Sequence, residues 1–111
     1  MSAQLATVSD GDFEGLLTDT VQPVLVDFWA PWCGTCRLLD PAVYAVAAEL
    51  DGRLHTVTMN VESDPEAAER LGVQTLPTLI LFNEGTEITR LTGARSKAAL
   101  LAALNEHLTS Q

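Results

Sequence analysis

The chain has 111 residues, 47% of them hydrophobic, and carries 15 acidic against 6 basic side chains for a formal net charge of -9. That length predicts one domain, residues 1–111, able to bury a core without staples, and the apolar content excludes a disordered chain. With Lys97 the only lysine, no basic patch exists for a phosphate backbone or an anionic membrane surface.

In chain order, residues 3–8 alternate weakly and predict an edge strand. Ser9, Asp10 and Asp12 offer caps for a short helix through Phe13, Leu16 and Leu17. After Gln22-Pro23, the β-branched run Val24 to Phe28 reads as a central strand covered on both faces. Pro31 and Gly34 punctuate a turn, and from Cys36 onward Leu39, Val43, Val46, Ala47 and Leu50 recur at helical spacing. This long helix is expected from about Cys33 to Leu50, with Pro41 bending it near Leu38. Residues 53–59 alternate as a strand that extends to Val61. Ser63, Asp64, Pro65 and Glu66 start a third helix that ends by Gly72. Leu79 to Phe82 form a further strand, Asn83-Glu84-Gly85 a turn, and Glu87 to Thr92 the returning arm of a hairpin. Gly93 breaks that pattern, and Ser96 caps a last helix with Leu100, Leu101, Leu104 and Leu108 on one face.

The order β-α-β-α-β-α-β-β-α predicts an α/β fold: a five-stranded mixed sheet flanked by four helices. Strands joined through helices should run parallel, and the final hairpin antiparallel. Met1 to Asp10 show neither a basic leader nor an apolar signal core, and no run reaches membrane-spanning length, so a cytoplasmic location is expected.

Two cysteines, Cys33 and Cys36, stand two residues apart at a strand-to-helix turn. In a reducing compartment such a pair beside a βαβ pattern points to redox chemistry before structural bonding. A static disulfide or half of a zinc site are the alternatives. Zinc wants four ligands, and His55 and His107 are distant and at unhelpful spacing.

The chain resembles the thioredoxin family over nearly its whole length. The likeness rests on Asp27 within its strand, Trp29-Ala30-Pro31-Trp32-Cys33-Gly34-Thr35-Cys36, the helix proline Pro41, Thr75-Leu76-Pro77-Thr78, and Gly93, in this order and spacing. Two positions depart from the family pattern. Thr35 stands where proline is usual, and Thr58 matches a position that commonly carries lysine near the buried acid.

The resemblance implies a general protein-disulfide reductase. Cys33, at a helix N-terminus that favours a thiolate, would attack a client disulfide; thioredoxins are among the proteins from which that rule was drawn. Cys36, more buried, would resolve the mixed disulfide. An ionised Asp27 inside an apolar strand costs several kcal/mol, so burial should raise its pKa, governed by desolvation because no lysine stands at Thr58. The family role is proton exchange with Cys36 through water; the alternative is a strand-end acid turned to solvent. Pro77 would be cis, would face the thiols and keep metal off them, and would hold the Leu76 backbone for an extended client. The alternative is a trans proline that merely opens a strand. Trp29, Trp32, Gly34, Thr35, Leu76, Pro77 and Gly93 would form the client-binding rim. Trp29 also suits the core, and Gly93 also suits a plain break before the last helix.

Thr35 adds an N–H that proline lacks. Were it to point at the Cys33 sulfur it would stabilise the thiolate, giving a more oxidising couple than in relatives with proline. No cofactor is expected to be bound: electrons would come from NADPH through a flavin-dependent thioredoxin reductase to a monomer that serves disulfide-containing clients. Two rival readings stay open: an oxidase or isomerase of a secretory compartment, and a binding module that uses the same apolar rim.

Overall fold

The computed structural model describes residues 5–108. Its elements follow the expected order: β1 Ala6–Thr7, α1 Asp10–Asp19, β2 Val24–Trp29, α2 Gly34–Glu49, β3 His55–Asn60, α3 Glu66–Arg70, β4 Thr78–Asn83, β5 Thr86–Thr92 and α4 Lys97–Leu108. Ala3 and Gln4 of the predicted first strand lie outside the described residues. The rest of that strand shortens to the two residues of β1, paired parallel with β3 at the sheet edge.

The sheet order is β1-β3-β2-β4-β5, so β2 is its centre. This is why Val24 to Phe28 carry an unbroken buried run: both faces of β2 are covered. Strand alternation then sorts the side chains. Val24, Val26, Phe28, Val57, Met59, Ile80 and Phe82 pack on one face against Phe13 and Leu17 of α1 and Ala67 and Ala68 of α3. Leu25, Leu79, Leu81 and Leu91 pack on the other against Leu39, Val43 and Val46 of α2 and Leu100, Leu104 and Leu108 of α4. Phe28 is fully buried, and a side chain of that size contributes about 1.5–3 kcal/mol through its burial.

One topological expectation fails. β4 follows β3 through a helix yet runs antiparallel to β2, whereas β3 runs parallel to β2. A six-residue strand spans about 20 Å, while the five residues of α3 climb only about 7.5 Å. α3 alone does not span the sheet, and β4 enters from the end that β3 has just left. It is the one reversed strand among the five, since β5 is antiparallel to β4 in turn.

The hairpin turn is Glu84-Gly85, with φ of 53° and 81°. Positive φ at both central residues suits the twist of a two-residue β-hairpin. Helix α2 continues through Pro41 from Gly34 to Glu49, and the ring removes the helical donor to the Arg37 carbonyl. The start of α3 is capped from afar. The Asp10 carboxylate accepts from the amides of Glu66 and Ala67, both at 3.0 Å, while Asp64 accepts from the Asp10 amide at 3.0 Å. Asp64, expected to cap its own helix, instead braces the start of α1. Ser96 caps α4 as expected, its Oγ accepting from the Ala99 amide at 3.1 Å.

Candidate functional site

Helix α2 begins directly after the turn that follows β2, and Cys33 is its N-cap residue. The first amides of a helix have no intrahelical acceptor. Here the Cys36 N–H donates to Cys33 Sγ at 3.1 Å. Cys33 and Cys36 are joined as a disulfide with Cα atoms 5.4 Å apart. Both are buried, Cys33 at 7% and Cys36 at 3% relative exposure, so the first sulfur is the nearer to solvent. Arg37 braces the turn by donating to the Pro31 carbonyl. Among the described residues the amide that reaches the Cys33 sulfur belongs to Cys36, not Thr35. In this disulfide form Thr35 is exposed in the first turn and its amide makes no bond to that sulfur.

The apolar surroundings come from separate parts of the chain. Cys33, Cys36 and Ala30 cluster with Trp29 at the end of β2, Val61 beyond β3, and Leu76 before β4. The Leu76-Pro77 bond is cis, and the Pro77 carbonyl accepts from the Gly93 amide at 3.1 Å. Gly93 adopts φ of 79°, a conformation side chains disfavour, and a Cβ there would meet nothing within 4 Å. Trp29 and Leu76 are half-buried, while Trp32 is 69% exposed and Gly34 is exposed. The fold thus gathers Cys33, Cys36, Trp29, Leu76, Pro77 and Gly93 at one end of the sheet. Trp32, Gly34 and Thr35 form the outward side of the turn.

Asp27 lies below this surface. It is 3% exposed, in register with Thr58 on β3 and Leu79 on β4. It shares the β2 face with Leu25, the face that α2 covers. Its Oδ1 has no hydrogen-bond partner among the described residues. Burial pushes its carboxyl up to about 7, and the negative charge of Asp40 pushes in the same direction. The solvent-facing alternative for Asp27 is thereby removed.

Asp40 and Tyr44 were absent from the residues singled out in the sequence. Partial burial raises the Asp40 carboxyl, opposed by the Arg37 cation, and the Tyr44 phenol is raised by burial and by the charges of Asp40 and Asp27. A signal existed: Asp40 follows Cys36 by four positions, on the flank of the apolar stripe Leu39, Val43 and Val46. Leu38 was missed as well, 76% exposed beside the turn. Among the described residues no group of three or more His, Cys, Asp or Glu side chains is arranged to hold a metal ion, and no helix is long and apolar enough to cross a membrane.

Comparison with known proteins agrees with this geometry. The family model described as Thioredoxin matches residues 4–106. Thioredoxin 1 of a Nostoc species is 39% identical over 103 residues, which cover 93% of this chain and 96% of the relative. The thioredoxin of a Synechocystis species is 38% identical, over 91% of this chain and 94% of its own. That of Mycobacterium bovis is 40% identical, over 89% of this chain and 85% of its own. With the sheet, the cysteine pair at the head of α2 and the cis proline in place, the chain belongs to the thioredoxin family of protein-disulfide oxidoreductases.

Proposed function

We propose that this protein works as a reductant of client disulfides, recharged by a flavin-dependent thioredoxin reductase at the expense of NADPH, in a reducing, cytoplasmic compartment. The observation that carries the reading is the pair itself. Cys33 Sγ caps α2 and accepts the Cys36 amide, so a thiolate there is favoured by that amide and by the helix dipole. Both cysteines of the chain are committed to this bond, which suits a compartment where structural disulfides are rare.

The steps follow. The Cys33 thiolate attacks one sulfur of the client, whose other sulfur leaves as a thiolate. Cys36 loses its proton to Asp27, and its thiolate attacks Cys33 Sγ. The client's second thiolate departs and the Cys33–Cys36 disulfide forms. Two electrons pass from the dithiol to the client, and a reductase dithiol restores them. Asp27 suits the proton step because a base near neutrality is half-ionised where the reaction runs. Trp29, Trp32, Gly34, Thr35, Leu76, Pro77 and Gly93 form the docking rim in this reading. Its support is the apolar cluster that Trp29 and Leu76 make with both cysteines, the exposure of Trp32, Gly34 and Thr35, and the open space over Gly93.

The test is reduction of a disulfide protein by NADPH and thioredoxin reductase, followed by NADPH absorbance. Turnover that requires both cysteines is expected. No turnover with any cognate reductase, or function retained when Cys33 and Cys36 are both replaced, would refute the reading in favour of a binding module.

A further inference from the structure

Among the described residues, the strand positions beside the buried acid are not basic. β3 presents Thr58 in register with Asp27 and β4 presents Leu79, while α4 contributes the leucines of its buried face to the layer above. From α2 come Cys36, Leu39, Asp40 and Tyr44. Cys36, Leu39 and Val43 are buried at offsets of zero, three and seven, and Asp40 at offset four is half-buried within that stripe. Tyr44 extends the stripe one turn further. Arg37, next to Cys36, directs its guanidinium at the Pro31 carbonyl, and the chain's only lysine pairs with Glu49 at 2.8 Å.

We propose that Asp40 is a positioning residue for disulfide reduction: its negative charge, one helical turn beyond Cys36, keeps the buried Asp27 carboxyl a strong enough base to take the Cys36 proton. The inference rests on the proton role given to Asp27 above. Three features combine in it. Asp27 Oδ1 has no hydrogen-bond partner among the described residues to satisfy a negative charge. Its strand neighbours are neutral. The charge that does reach it has the same sign, which discourages ionisation. A carboxylate so placed gives up part of its ionised fraction at neutral pH and gains affinity for the thiol proton, the balance general-base catalysis favours when the pKa lies near working pH. Arg37, three residues before Asp40, opposes the rise that burial gives the Asp40 carboxyl.

The experiment compares Asp40→Asn, Asp40→Lys and Asp40→Glu with the parent protein. Two readouts are taken: the Asp27 carboxyl titration in the disulfide form by carbon NMR, and the pH profile of client reduction. The Asp27 midpoint is expected to fall by at least about half a pH unit in the Asn variant, further in the Lys variant, and to stay put in the Glu variant. The low-pH limb of the rate should move with it. A merely structural role for Asp40 would lower the rate at every pH without moving the limb. Unmoved Asp27 midpoints in both Asn and Lys variants overturn the inference, while Asp27→Asn flattening the limb would leave the proton role of Asp27 standing. A moved midpoint with an unmoved limb overturns it too, because Asp27 is then not the base. If the Lys variant does not fold, the Asn and Glu pair decides.

Discussion

Replacing Asp27 by Asn, which keeps the shape and removes the charge, should stabilise the protein in a pH-dependent way. An ordinary aspartate titrates at 3.8 and Asp27 at about 7, because burial, reinforced by Asp40, disfavours its carboxylate. The folded protein therefore binds this proton more tightly than the unfolded chain does. Stability from that difference is fully present below about pH 4, falls as pH rises, and is gone above about pH 7. The whole difference corresponds to about 4 kcal/mol, of which about 2–3 kcal/mol is lost between about pH 5 and pH 8.5. The assay is urea denaturation of the disulfide form of both proteins at those two pH values. Other titrating groups cancel in the comparison. The Asn variant should gain on the parent by about 2–3 kcal/mol more at the higher pH. A gain that is the same at both pH values, within about 0.5 kcal/mol, would refute the assignment of a raised pKa to Asp27.

Further outcomes follow from other residues. Cys36→Ser should accumulate a mixed disulfide between Cys33 and the client, visible by mass spectrometry, whereas Cys33→Ser should form none; the reverse pattern would exchange the roles of the two thiols. Asp10→Ala removes two amide caps from α3 and should cost about 1–2 kcal/mol in denaturant melts; no loss would mean that water replaces the carboxylate fully. Thr35→Pro leaves the Cys36 N–H on the Cys33 sulfur, so the equilibrium with glutathione should shift by less than tenfold, about 30 mV. A larger shift toward the dithiol-disfavoring side would show that the Thr35 amide does reach the sulfur once the disulfide opens.

Much of the fold was legible because its signals are local. The Val24 to Phe28 run, the helical spacing after Cys36 and the turn at Glu84-Gly85 each depend on neighbours within a few positions. The direction of β4 was not legible that way. It goes with a five-residue α3 whose first amides are capped by Asp10, more than fifty residues earlier. A cap supplied from another helix leaves no mark in the segment it caps. The same holds for Asp64, whose type suits a local cap and whose amide partner is Asp10.

The site divides along the same line. Cys33, Cys36 and Pro77 stand in motifs whose chemistry is visible in a few consecutive letters, and Asp27 was conspicuous as an acid in an apolar strand. Asp40 was inconspicuous because an acid on a helix usually faces water. Its effect arises only when α2 packs over the face of β2 that carries Asp27. Thr58 matters through what it lacks: with no cation at that β3 position beside Asp27, burial and Asp40 raise that carboxyl without an opposing charge from the strand. A basic residue at Thr58 and an acidic one at Asp40 act on the same proton in opposite directions. Thr58→Lys and Asp40→Asn should therefore both lower the Asp27 midpoint, and the double variant should lower it further than either. If the double variant titrates no lower than Thr58→Lys alone, the two positions do not share that proton.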